Sequence, residues 1–207
     1  MNAYYNIYKE NIDKGRGPVF ERIVETFSGS MDFLEVGTIR NLDPGAWAGD
    51  GWSTFWWCDY IKENGGKLVV VDINPSAVEA CKIATADFIG DIDIEFHADD
   101  GAKFISSDYD FIYLDGSDCP DEMLQQFNKI DRTKTSILCD DFSEKGLLLL
   151  EKDTDTKEEI FSNKDFEKAT LQIIKKETFY NKIPQVKIFI EYCQKEKEKR
   201  FSKNTCF

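Results

Sequence analysis

Apolar residues recur at helical spacing in "GPVFERIVETF", where Val19, Phe20, Ile23, Val24 and Phe27 would share one face and Gly29 supplies a stop. The tyrosine-rich leader before it is polar and reads as a mobile end, or as a lid lined by Tyr4, Tyr5, Tyr8, Lys14 and Arg16. Downstream the period shortens. Apolar runs of strand length lie at 32–37, 67–73, 93–98, 109–115 and 136–141, and helical candidates lie between them at 53–64, 75–88, 101–106 and 120–130. Strand alternates with helix, and the strands are nearly continuous in apolar character. That pattern predicts an α/β fold with a doubly wound, mostly parallel sheet covered on both faces. Further on, 147–169 reads as helix with a polar insertion, while 171–180 and 186–195 alternate and predict a C-terminal antiparallel strand pair. The expected organisation is a leader and helix over 1–30, one domain over 31–193, and a charged mobile tail over 194–207.

Composition narrows the partners. The 207 residues carry 26 basic against 39 acidic side chains, a net charge of -13 that would repel a phosphate backbone, so nucleic acid is not expected. The six cysteines show neither a C-x-x-C pair nor zinc-type spacing, and are read as reduced thiols of a cytoplasmic protein. No stretch approaches a membrane span or a signal core.

Chemistry concentrates where the strands end. In a parallel sheet, ligands gather beyond the carboxyl ends of the strands. Those positions here hold Gly37, Asp72, Asp99, Asp100, Asp115, Asp140 and Asp141. Asp72, followed by a proline at a helix start, is suited to accept hydrogen bonds from both hydroxyls of a ribose. A dinucleotide site would need G-x-G-x-x-G, and Gly37-Thr38-Ile39 breaks that rule at once.

Glu35-Val36-Gly37, Gly51-Trp52-Ser53-Thr54 and Asp72-Ile73-Asn74-Pro75 instead resemble the class I S-adenosylmethionine-dependent methyltransferases, over about residues 33–141. The resemblance implies a Rossmann-like fold with S-adenosylmethionine as cofactor. It places Glu35 and Gly37 near the amino acid end of the cofactor, with Gly51 and Ser53 at the helix start beside it. Asp72 would hold the ribose, and Asp100 or Asp99 the adenine. The loop departs from the family's compact turn, because Gly37 and Gly51 lie fourteen residues apart. Residues 41–50 are therefore expected to bulge as a flap, with Trp47 either at the pocket mouth or over the core edge.

Asp115, Asp140 and Asp141 form the second constellation. Three carboxylates at one rim repel unless protonated, solvated or bound to a cation, and all-oxygen ligands select Mg2+, Mn2+ or Ca2+. The set is similar to that of the metal-dependent small-molecule O-methyltransferases. The resemblance implies that Asp115, Asp140 and Asp141 hold magnesium against substrate oxygens. Asp118 stands where relatives carry the base, and is expected as catalytic partner of Asp115 or as a further ligand. His97 reads as structural. The expected activity is methyl transfer to a hydroxyl of a small molecule such as a sugar or polyhydroxylated metabolite. Open alternatives are a metal-independent methyltransferase with Asp115 or Asp118 as base, a nicotinamide or sugar-nucleotide enzyme, and a binding module without turnover. A homodimer is left open.

Overall fold

The computed structural model describes residues 2–14, 16–47, 52–117, 119–131, 134–140, 158–162 and 169–173. Five parallel strands form the sheet: β1 (Met31–Val36), β2 (Gly66–Asp72), β3 (Asp93–Ala98), β4 (Phe111–Leu114) and β5 (Ser136–Cys139), in the order β3-β2-β1-β4-β5. The order reverses between β1 and β4, which is where such a sheet opens a ligand crevice. All four residues of β4, and the last four of β1, are buried, as both-face coverage requires.

Helices α1 (Ala3–Asn11), α2 (Gly17–Val24), α3 (Ser53–Asn64) and α4 (Pro75–Ala84) contribute to the core on one face, and α5 (Pro120–Phe127) to the core on the other. Local chemistry sets their ends. Asn74 caps α4 by accepting the Ser76 N–H at 2.9 Å, with Pro75 in the first turn. Gly65, at φ +81°, terminates α3. The α1–α4 side is dominated by aromatic rings, with Phe33 stacked on Tyr60 at 5.4 Å and Tyr8 on Phe55 at 5.0 Å. The opposite side is mainly aliphatic around Leu34, Val69, Ile112 and Ile137, with Phe127 from α5 packed among them.

Two expectations are corrected, and one left open is decided. The leader is not a mobile end: Asn2 caps α1 by accepting the Tyr5 N–H at 2.9 Å, and its Nδ2 donates to the Ala84 carbonyl at 2.8 Å. Tyr5 and Tyr8, one turn apart, then enter the core against Phe55. Trp47 covers the core, packed on Tyr8 and Trp52, while residues 41–46 before it are mostly exposed. Within the expected helix at 147–169, Glu158–Ser162 is instead a strand, β6, paired antiparallel with β7 (Ala169–Ile173), which continues the sheet beyond β5. The strand pair expected over 171–180 and 186–195 is not shown; apart from 171–173 it lies outside the described residues, as does the tail at 194–207. Among the described residues no helix is long and apolar enough to cross a membrane, and Cys58, Cys81 and Cys119 are free thiols.

Candidate functional site

The register aligns the strand ends. Val36 pairs with Val71 and Leu114, and Leu114 with Cys139, so Gly37, Asp72, Asp115 and Asp140 follow one another at the carboxyl rim of adjacent strands. The ladder continues past the named strands: the Gly37 N–H donates to Val71 (2.8 Å), Asp115 to Val36 (2.7 Å) and Asp140 to Leu114 (3.0 Å).

A pocket of about 210 Å³ opens there, lined by Gly37, Thr38, Arg40, Asp72, Asn74, Ala77, Asp115, Gly116 and Ser117. Its floor is backbone because β1 and β4 approach closely. Gly37 has φ +88°, and a Cβ on it would lie 2.7 Å from the carbonyl carbon and oxygen of Asp115. A Cβ on Gly116 would meet Val36 Cγ1 at 2.7 Å. Gly37→Ala is expected to cost on the order of 2–4 kcal/mol, since it combines a left-handed φ with backbone overlap. Thermal unfolding would measure it, and an unchanged Tm would mean that the strand ends are not so close.

Of the anticipated cofactor residues, Gly37 and Asp72 line this pocket. One Asp72 oxygen accepts the Asn74 N–H at 2.8 Å, which fixes the carboxylate at the rim. Glu35 is corrected. It points into the core and is fully buried, accepting hydrogen bonds from Ser53 Oγ (2.5 Å), Thr54 Oγ1 (2.7 Å) and Trp57 Nε1 (3.2 Å). Its job is to anchor the first turn of α3, whose entry residue Trp52 takes the left-handed conformation at φ 44°. Burial raises the Glu35 carboxyl to about 8 against the three donors, and Asp115 adds to the rise. Ser53 is spent on the same anchor, away from the pocket.

Asp99 and Asp100 also lie off the pocket lining. Asp99 accepts Lys103 Nζ at 2.6 Å, which lowers its carboxyl below the usual range, and Asp100 caps the 3-10 turn Gly101–Lys103 through the Ala102 N–H at 2.9 Å. His97 contacts Glu95 at 3.3 Å and packs on Phe104, in keeping with a structural place. Gly51, Asp118 and Asp141 lie outside the described residues.

Asp115 lines the pocket; Asp140, its neighbour at the next strand end, does not. Asp140 is 2 % exposed, and its Oδ2 accepts hydrogen bonds from Arg16 Nη1 and from the Tyr113 hydroxyl, the latter at 2.9 Å. These residues do not fit magnesium. The carboxylate that should face the ion is committed to a guanidinium, which would repel a divalent cation, and the described residues include no group of three His, Cys, Asp or Glu side chains able to hold a metal. Asp140 as a metal ligand is thereby corrected.

Thr38, Arg40, Asn74, Ala77, Gly116 and Ser117 also form the pocket wall and were missed in the sequence. Their one available signal was adjacency: each lies within a few residues of Gly37, Asp72 or Asp115.

No family model and no curated protein matches the chain. Solved structures do. A protein assigned as an rRNA methylase from Clostridium thermocellum superposes with TM-score 0.58 at 16% identity, covering 80% of this chain and 97% of its own. A methyltransferase from Geobacter sulfurreducens gives 0.53 at 15%, covering 83% and 86%. An O-methyltransferase from Bacillus cereus, solved with S-adenosylhomocysteine, gives 0.51 at 14%, covering 77% and 80%. The chain thus has the α/β Rossmann-like fold of the class I S-adenosylmethionine-dependent methyltransferases, built on a five-stranded parallel sheet.

Proposed function

We propose that the chain is an S-adenosylmethionine-dependent methyltransferase that methylates a hydroxyl of a small polar molecule without a divalent ion. The carrying observation is the convergence of Gly37, Asp72 and Asp115 on one pocket at the point where strand order reverses.

The pocket residues fit the cofactor. Gly37 and Gly116 keep the floor free of side chains, and Asp72 stands at the rim as acceptor for ribose hydroxyls. When bound, S-adenosylmethionine would supply a methyl group on a positively charged sulfur, transferred in line to an acceptor oxygen as the methyl–sulfur bond breaks and S-adenosylhomocysteine leaves. Asp115 holds the acceptor hydroxyl and takes its proton at a carboxylate oxygen. The acidic rim and the net charge of -13 favour a small acceptor over RNA. Asp115 is taken as the base because it lines the pocket; Asp118, the other candidate, lies outside the described residues.

Calorimetry with S-adenosylhomocysteine against NAD tests the cofactor. Binding of the first but not the second is expected, and the reverse would move the chain to a nicotinamide enzyme. Asp72→Ala should weaken S-adenosylhomocysteine about 10- to 100-fold through loss of charge-assisted hydrogen bonds. An unaltered affinity would remove Asp72 from the ribose. Transfer of labelled methyl into hydroxylated metabolites is expected, and label entering total RNA instead would overturn the acceptor class.

A further inference from the structure

Glu35 lies in the core and the pocket opens at the strand ends, yet two hydroxyls connect them. Glu35 Oε2 meets Thr54 Oγ1 at 2.7 Å, and Thr54 Oγ1 meets Thr38 Oγ1 at 3.1 Å. Thr54 is fully buried, whereas Thr38 is half-buried and lines the pocket. A hydroxyl has one proton to donate, so the direction of one bond in such a chain fixes the next.

The carboxyl sets that direction. Its Oε1 faces the Trp57 indole N–H, which can only donate, together with Ser53 Oγ. Among the described residues Oε2 has the Thr54 hydroxyl as its single partner. Oε2 is therefore the oxygen that carries the proton when Glu35 is neutral. In that state Glu35 donates to Thr54, Thr54 donates to Thr38, and the Thr38 proton turns to the pocket. When Glu35 is ionised both bonds reverse, and Thr38 offers the pocket lone pairs alone. Burial, with the charge of Asp115 added, raises the carboxyl to about 8, so the neutral state prevails at neutral pH. The other titratable groups around it keep their protons there. Burial pushes Cys81 in α4 up to about 12, and holds Cys58 in α3 and Tyr113, the register neighbour on β4, well above their usual ranges. Cys81 Sγ also lies 3.6 Å from Thr54 Oγ1, but a thiol is too weak a partner to redirect the chain.

We propose that Glu35 and Thr54 set the hydrogen-bonding sense of the Thr38 hydroxyl in the pocket: a neutral Glu35 holds it as a donor to an acceptor group of the ligand, a carboxylate being the fitting chemistry, and an ionised Glu35 turns it into an acceptor. Glu35 and Thr54 are positioning residues and touch no reacting atom. The choice of S-adenosylhomocysteine, which carries a carboxylate, as probe rests on the methyltransferase reading, whereas the relay itself is measurable in the free protein.

The test follows the Trp57 indole N–H of the full chain by heteronuclear NMR from about pH 6 to about 9.5, because that group bonds to Glu35 and reports its ionisation. Thr38→Val leaves every Glu35 contact in place. It should still move the midpoint upward, since a chain of donors ending on a charge is the stronger one and loses more. S-adenosylhomocysteine should raise the wild-type midpoint, as reciprocity requires of a ligand that favours the neutral carboxyl. By calorimetry, its affinity should fall about 3- to 10-fold between about pH 7 and about pH 9 in wild type relative to Glu35→Gln, whose amide nitrogen donates to Thr54 at every pH. Referring wild type to Glu35→Gln cancels titration of the ligand's own amine. Thr54→Ser should behave as wild type, and Thr54→Val should keep the indole titration while losing the pH dependence of affinity. An indole that does not titrate overturns the proposal. So does a ligand that leaves the midpoint in place, or a constant affinity ratio between wild type and Glu35→Gln, results available even where Thr54→Val does not fold. Failure of S-adenosylhomocysteine to bind wild type would sink the methyltransferase reading, and the relay would then stand or fall on the Thr38→Val midpoint.

Discussion

Asp115→Asn is expected to lower methyl transfer by about 10²- to 10⁴-fold while S-adenosylhomocysteine binds within about threefold of wild type. Asparagine preserves the size of the side chain at the end of β4 and removes its capacity to accept a proton. The fold should not suffer. The charge of Asp115 disfavours ionisation of the buried Glu35 and Tyr113, which are protonated near neutral pH, so its removal costs neither group. The loss should therefore appear in kcat, with KM and Tm nearly unchanged. Activity within tenfold of wild type would transfer the base role elsewhere, with Asp118 the first residue to examine. A loss of cofactor affinity equal to the loss of rate would make Asp115 a binding residue and not a base.

Glu35→Ala should cost about 3–5 kcal/mol of folding free energy, the second large effect. It leaves a cavity and strands the donors of Ser53, Thr54 and Trp57 in the core. For a chain of this length that lowers Tm by roughly 10 °C. Glu35→Gln keeps the volume and one acceptor, and should cost much less.

The same residue ties stability to pH. Its carboxyl lies at about 8 in the folded protein against 4.5 when unperturbed, so between those values the folded chain binds the proton and the unfolded chain does not. Stability from this group is fully present below pH 4.5, falls as pH rises and is gone above pH 8. The total is on the order of 5 kcal/mol. Urea unfolding from pH 5.5 to 8.5 should show wild type losing stability relative to Glu35→Gln; parallel curves would mean that the three donors hold Glu35 ionised throughout. The effect reaches the pocket, because Thr54, bonded to Glu35, also contacts Thr38 Oγ1 at 3.1 Å in the pocket wall.

Most of the fold was legible because helix and strand periodicities are local. Ser53–Asn64 and Asp93–Ala98 coincide with their expected bounds, and the other four parallel strands shift at their ends by no more than two residues. The rule that ligands meet strand carboxyl ends picked out Gly37, Asp72 and Asp115, all on the pocket wall. The N-terminal helix was missed because tyrosines read as polar in a short segment, although Tyr5 and Tyr8 present one apolar face only once Phe55 is there to receive it.

Alternation of apolar runs and the residues at their ends thus determined, from sequence alone, a parallel α/β sheet and which acids reach its rim. Only tertiary structure decided the fate of each acid. Asp115 and Asp140 occupy equivalent ends of neighbouring strands, but one faces the pocket and the other receives Arg16, 124 residues away along the chain. Glu35, two residues before Gly37, is drawn inward by donors on α3. Sequence period tells which residues share a strand end, whereas the segment folding over that end sets which carboxylate is solvated, paired or buried, and with it the chemistry that carboxylate can do.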